Sequence, residues 1–235
     1  MSNMFDQWSL YARILASNYM RHRDLSVVVR EFLAGLGRSC RVVDLGCGDG
    51  WMASECLKTT RVIRYVGIDT SSDAIARVRA CPPTGSDPDN ARIDLYCEDV
   101  FTALAALPAG EFDLVLSSYC LHHFSQPQKQ DVLRQIRRVL TPDGCFIWTD
   151  LARYSQQTHD TYLKLLVHDM RQNSPALSSE EVEEAVAHVS SSDFPEEEQW
   201  MLDTARECGF SLARALLRDE FYGSWAFVAA PGGSG

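Results

Sequence analysis

The segment Val42-Val43-Asp44-Leu45-Gly46-Cys47-Gly48-Asp49-Gly50 constrains the fold more than any other stretch of the chain. The apolar run from Arg41 to Leu45 reads as a central parallel strand, and three glycines then alternate with Cys47 and Asp49. Glycine has no Cβ, so the backbone can bend sharply here and approach a ligand closely. A helix is expected to start between Asp49 and Met52, with its unpaired N–H groups pointing back across the turn at whatever binds there.

Three further strands repeat the arrangement. Residues 64–69 end in Asp69, about 20 residues beyond the glycines, the separation at which a carboxylate meets ribose hydroxyls in a βαβ nucleotide site. Residues 93–97 run into Glu98, Asp99 and Val100, and residues 112–117 run into the segment from Ser118 to Phe124. Ligands of open parallel sheets lie outside the carboxyl ends of the strands, so four strands carrying polar residues there predict one crevice. A G-x-G-x-x-G dinucleotide turn would need glycine at Trp51, which argues against a nicotinamide cofactor.

The pattern Asp44-x-Gly46-x-Gly48-x-Gly50, with Asp69 after strand two and Asp99 after strand three, resembles the class I S-adenosylmethionine-dependent methyltransferase family. Phe112-Asp113-Leu114-Val115 followed by Leu121-His122-His123-Phe124 is similar to that family's fourth motif. The stretch from Arg138 to Gly144 is similar to a helix-turn-strand segment of the family, with Asp143 in place of a glycine. The resemblance is close over residues 40–150 and looser beyond. It implies an α/β fold, a Rossmann-like, seven-stranded, mostly parallel sheet with helices on both faces and an antiparallel last strand. N-terminal helices and a helical lid inserted after strand five would complete it.

The implied cofactor is S-adenosyl-L-methionine, and the implied reaction is in-line methyl transfer to an O or N atom of a small molecule. The alternative is a protein that binds the cofactor as a regulatory or scaffold subunit, or uses it for other chemistry. By the same resemblance, Gly46, Cys47 and Gly48 face the amino-acid end of the cofactor and Asp44 orients it. Asp69, with Thr70, takes the ribose, Asp99 and Val100 take the adenine, and the Ser117 carbonyl lies near the methionine amine.

The 235 residues, 46% of them hydrophobic, suffice for a single α/β domain with a lid. Residues 3–37 read as two helices, the first with Phe5, Trp8, Tyr11, Leu15 and Tyr19 at helical spacing. Residues 151–192 interrupt the strand–helix alternation with two more, over 154–170 and 177–189, the latter opened by Ser178 and Glu181 at capping-box spacing. Asp193 to Glu196 opens a last helix that stops at Gly209, and strands at 210–217 and 225–229 close the sheet. Residues 81–88 read as a mobile surface loop and 231–235 as a disordered tail.

Eight cysteines without a C-x-x-C pair read as reduced core thiols, and no metal site is expected. A net charge of −10 without a basic stripe speaks against a nucleic-acid partner. No apolar run reaches signal-peptide or transmembrane length, which predicts a cytoplasmic monomer or homodimer without a membrane partner.

The methyl acceptor must be held by scattered lid residues. The catalytic candidates are His122, Tyr119 and Asp150, with His122 just past strand four, where a neutral imidazole can take a proton; His123 is its neighbour. The acceptor-binding candidates are Tyr11, Tyr19, His122, Tyr154 and His159, on the reading that the first helix folds over the cofactor. Arg21, Arg153 and Arg171 are candidates for holding an acceptor carboxylate.

Overall fold

Alternation along the central strand divides the molecule into two cores. In β1 (Cys40–Leu45), Val42 packs into one hydrophobic core and Val43 and Leu45 into the other, as side chains of period two must. The structure, a computed structural model, describes residues 4–229, the side chains of residues 4–9 and of Leu212 excepted. The expected roles of Phe5 and Trp8 and the tail at 231–235 lie outside the described residues.

Parallel to β1 run β2 (Val62–Asp69) on one side and β4 (Phe112–Ser118) on the other, flanked by β3 (Arg92–Cys97) and β5 (Leu140–Arg153). Beyond β5, β8 (Tyr222–Ala229) is inserted antiparallel between β5 and β7 (Phe210–Arg218), giving the order β3-β2-β1-β4-β5-β8-β7. Chain order reverses between β1 and β4, and a crevice opens at the carboxyl ends of the strands at such a switch. Glu196 and Glu197 do not open a helix: they form an eighth short strand, β6, parallel to Ala152 and Arg153 at the end of β5. The last helix, α9 (Glu198–Glu207), follows it and stops before Gly209, whose φ of +91° favours glycine.

On the first face lie α2 (His22–Ala34), α3 (Trp51–Leu57) and α4 (Ser72–Ala80). The second face is covered by α5 (Val100–Ala106), α6 (Gln126–Val139) and α9. Leu133 and Ile136 of α6 are wholly buried, each contributing about 1.5–3 kcal/mol. The N-terminal α1 (Met4–Ser17) precedes α2, and the inserted helices are α7 (His159–Asn173) and α8 (Ser179–Ser192). Tyr162 and Leu166 of α7 and Val182 and Val186 of α8 join the first core. The Ser178 hydroxyl accepts from Glu181 N–H at 3.2 Å and the Glu181 carboxylate accepts from Ser178 N–H at 2.8 Å, so the expected capping box forms.

The segment 81–88 is pinned, not loose. Ser86 N–H donates to Thr60 O at 2.9 Å, and the Pro83 ring lies 3.3 Å from where a Cβ on Gly50 would sit. Cys40, Cys47, Cys56 and Cys145 are buried as expected, whereas Cys81 and Cys97 are exposed. Among the described residues, no helix is long and apolar enough to cross a membrane.

Candidate active site

The turn after β1 is held by contacts that only glycine allows. Gly46 has φ +65°, and a Cβ there would lie 2.6 Å from the Cys120 sulfur; Gly48 has φ +54° and open space where its side chain would be. Gly48 N–H donates to Asp69 Oδ2 at 2.9 Å and Ser71 N–H to Asp69 Oδ1 at 2.8 Å, so the carboxylate at the end of β2 is fixed at both oxygens. Asp44 is buried beneath this turn and accepts from the Tyr65 hydroxyl at 2.7 Å. Burial pushes the Asp44 carboxyl up to about 7, against the Tyr65 hydrogen bond, and the nearby Asp69 charge adds to the rise. Asp99 caps α5, accepting from Thr102 N–H at 2.9 Å and from the Thr102 hydroxyl at 2.6 Å, and these bonds hold it below the usual carboxylate range.

A single cavity of about 1050 Å³ runs from this turn, past Asp69 and Asp99, to a chamber walled by α1, α7 and α8. His122 stands on its wall just beyond β4, and its Nδ1 lies 2.5 Å from Asp150 Oδ1. Asp150, wholly buried, also accepts from Trp148 Nε1 at 2.9 Å and from the backbone N–H of Leu151 at 2.9 Å and of His122 at 3.2 Å. Burial alone would raise this carboxyl, yet the His122 ring and these donors hold it below its usual range. Tyr119 adopts φ +52°, rare for a side chain of this size, and its hydroxyl donates to Met20 O. Its ring lies 4.5 Å from that of His22, which burial pushes down to about 4 and so keeps neutral.

Residues 42–144 match a family model described as a methyltransferase domain. An uncharacterized methyltransferase of Synechocystis sp. is 28% identical over 163 residues, 66% of this chain and 71% of the relative. An uncharacterized methyltransferase of Schizosaccharomyces pombe is 34% identical over 147 residues, 60% of this chain and 50% of the relative. The segment 42–144 is therefore similar to a methyltransferase domain. A fatty-acid O-methyltransferase of Mycolicibacterium smegmatis is 31% identical over 110 residues, 47% of this chain and 36% of the relative. The chain thus spans half or less of the yeast and mycobacterial relatives. The solved S-adenosylmethionine-dependent methyltransferase SibL shares the fold, with a TM-score of 0.58 at 20% identity over 83% of this chain and 51% of that one.

In this structure, Asp44, Gly46, Cys47, Gly48, Asp69, Thr70, Asp99 and Val100 all line the cavity, as do Tyr11, Tyr19, Tyr119 and His122. Four expected residues do not. Ser117 is wholly buried in the strand register opposite Leu45 and Trp148, and its neighbour Ser118 reaches the wall instead. Asp150 stands behind His122 and is a positioning residue. Tyr154 is exposed, its hydroxyl donating to Asp219 O at 3.1 Å and its ring 4.4 Å below the Arg218 guanidinium. His159 stacks on Phe194 and lies 3.0 Å from Asp193 O.

The three arginines are engaged elsewhere: Arg21 with Asp219 at 2.9 Å, Arg153 with Pro195 O at 2.9 Å, and Arg171 with Glu183 at 2.7 Å. Sequence reasoning missed His22, Tyr222, His188 and Asp193 on the cavity wall. Asp193 was legible only as a helix opening.

Proposed function

We propose that this chain transfers the methyl group of S-adenosylmethionine to an O or N atom of a small molecule seated between α1, α7 and α8. The observation that carries the reading is the continuity of one cavity of about 1050 Å³, the upper end of the range for a single ligand site and so enough for cofactor and acceptor together. The glycine turn, Asp69 and Asp99 occupy one end. Leu10, Ile14, Leu166, Met170, Leu177 and Val189 line the other, which suits an acceptor with an apolar body. The mycobacterial relative, named a fatty-acid O-methyltransferase, is consistent with such an acceptor. The net charge of −10 disfavours a nucleic acid.

In the reaction, a bond forms from the acceptor O or N to the methyl carbon as the S–CH₃ bond breaks, the electron pair stays on sulfur, and the acceptor gives up its proton. The protein's task is to align the partners in line and exclude water. His122, with the Asp150 carboxylate fixing its ring, is the group we assign to activation of the acceptor, and α1 with α7 and α8 is the lid. Calorimetry provides the test. S-adenosylhomocysteine should bind in the micromolar range and NAD should not; NAD binding, or no adenosylhomocysteine binding, overturns the reading.

A further inference from the structure

We propose that His122, His123 and Asp193 form a binding site for one divalent transition-metal ion on the wall of the acceptor chamber, with its open position facing an oxygen of the ligand. Only the second part, which narrows the acceptor to an oxygen donor, rests on the methyl-transfer reading; with a metal on Nε2, His122 would act on that oxygen through the ion and not as a free base.

The donor set is two imidazoles and one carboxylate, which suits zinc and its neighbours in the first transition row. Ligand atoms 2.0–2.1 Å from a tetrahedral metal are roughly 3.3 Å apart. Asp193 Oδ1 lies 3.3 Å from His123 Nδ1 and 3.6 Å from His122 Nε2, and the three ligand atoms all fall within 4.8 Å of one another. His188 Nε2, at the rim, lies 3.8 Å from the same oxygen. Three protein ligands leave a coordination position open, and all three residues line the cavity.

Two independent observations point to a cation. Asp193 is 4% exposed, and its Oδ1 accepts no hydrogen bond, an expensive state for a buried carboxylate oxygen. His122 is also held as a metal-bound imidazole is held: its Nδ1 is taken by the Asp150 carboxylate, which leaves Nε2 directed toward Asp193. The loop carrying Asp193 is fixed in register with His122, because Phe194 N–H donates to His122 O at 2.7 Å. The buried Lys129 ammonium donates to Phe194 O and, at 2.6 Å, to Glu196 Oε1, which clamps the next residues. Without a metal the same groups would form a His–Asp ion pair, in which His123 Nδ1 also lies 3.3 Å from Ser192 O.

The test is metal binding by the purified chain after chelation, with Co²⁺ as a spectroscopic probe and Zn²⁺ as competitor. One equivalent of Co²⁺ should bind, with visible d–d absorption that Zn²⁺ abolishes. His123→Ala, which removes a partly exposed side chain outside both cores, and Asp193→Asn should each weaken Co²⁺ binding at least ~100-fold, and Asp150→Asn by about 10–100-fold. Acetohydroxamate, a simple oxygen donor, should shift the Co²⁺ spectrum. No stoichiometric Co²⁺ binding, or binding that H123A and D193N leave unchanged, overturns the site and leaves the ion pair. A spectrum unmoved by acetohydroxamate overturns the open position. Adenosylhomocysteine is titrated into the same metal-free protein. Cofactor binding without Co²⁺ binding removes the metal site alone, and Co²⁺ binding without cofactor binding removes the methyl-transfer reading alone.

Discussion

The two ends of the cavity are built by different means. The end proposed for the cofactor is lined by Asp44, Gly46, Cys47, Gly48, Asp49, Asp69, Thr70, Asp99 and Val100, all at the carboxyl ends of β1, β2 and β3 or in the segments that follow them. Its key bonds, such as Gly48 N–H to Asp69, join the ends of neighbouring strands. The acceptor end is assembled from distant segments. The Tyr19 hydroxyl donates to Asp169 at 2.8 Å across 150 residues of chain, and His122 meets Asp193 on a loop that follows the insertion. Local backbone geometry fixes the first end, and packing of long-separated helices makes the second, so the two should differ in rigidity and in their response to mutation.

Hydrogen exchange would break that comparison most directly. Amides of α7 and α8 should exchange faster than those of β1 by roughly two orders of magnitude or more in the unliganded protein, and should slow when adenosylhomocysteine is added. Protection equal to that of β1 and indifferent to ligand would make the insertion fixed structure.

The next largest effect belongs to Asp69. Removing its carboxylate by Asp69→Ala costs hydrogen bonds to a charged acceptor worth about 1.5–3 kcal/mol, so adenosylhomocysteine affinity should fall at least ~10-fold with circular dichroism unchanged. An unaltered dissociation constant would detach the end of β2 from the cofactor.

Asp44 gives a smaller effect on affinity, and one that depends on pH. An unfolded carboxyl loses its proton near 4, and the folded Asp44 retains it until about 7. Between these values the folded chain binds the extra proton, so this group's contribution to stability falls as pH rises from about 4 to about 7 and is level above. Asp44→Asn should therefore raise the stability of the unliganded protein at pH 8 by roughly 2–4 kcal/mol, read from urea unfolding. Ionised Asp44 favours the ligand's ammonium, so wild-type adenosylhomocysteine affinity should weaken several-fold as pH drops below about 7, and D44N should lose that dependence. A variant less stable than wild type at pH 8, or with the same pH profile, contradicts the assignment.

The smallest effect sharpens the boundary of the site. Tyr154→Phe removes a hydroxyl bonded to Asp219 O outside the cavity, and should change adenosylhomocysteine affinity and turnover less than about twofold. A larger loss of turnover would bring Tyr154 back into the acceptor wall.

Much of the cavity wall around the glycine turn was legible because its signals are short-range. Glycines at 46, 48 and 50 mark positive-φ backbone that other residues adopt only at a cost, and the carboxylates at 69 and 99 fall where strands end. Trp51 was legible in what it forbids. The misplacements share a different cause. Ser117 sits one residue short of the cavity wall, Tyr154 leaves the chamber for Arg218, and Glu196 pairs with β5 before α9 begins. In each case a contact from far along the chain overrides the local pattern.

The sequence by itself determined the strand–turn–helix units and their order, because those follow from periodicity, from missing Cβ atoms and from polar residues at strand ends. Only the tertiary structure decided that His122, His123, His188 and Asp193 converge and that Asp150 supports one of them from behind. It also decided that Lys129 is buried in α6 to clamp the loop that carries Asp193. Such meetings depend on how an insertion packs back onto the sheet, and sequence spacing carries no record of the distance between side chains some 70 residues apart.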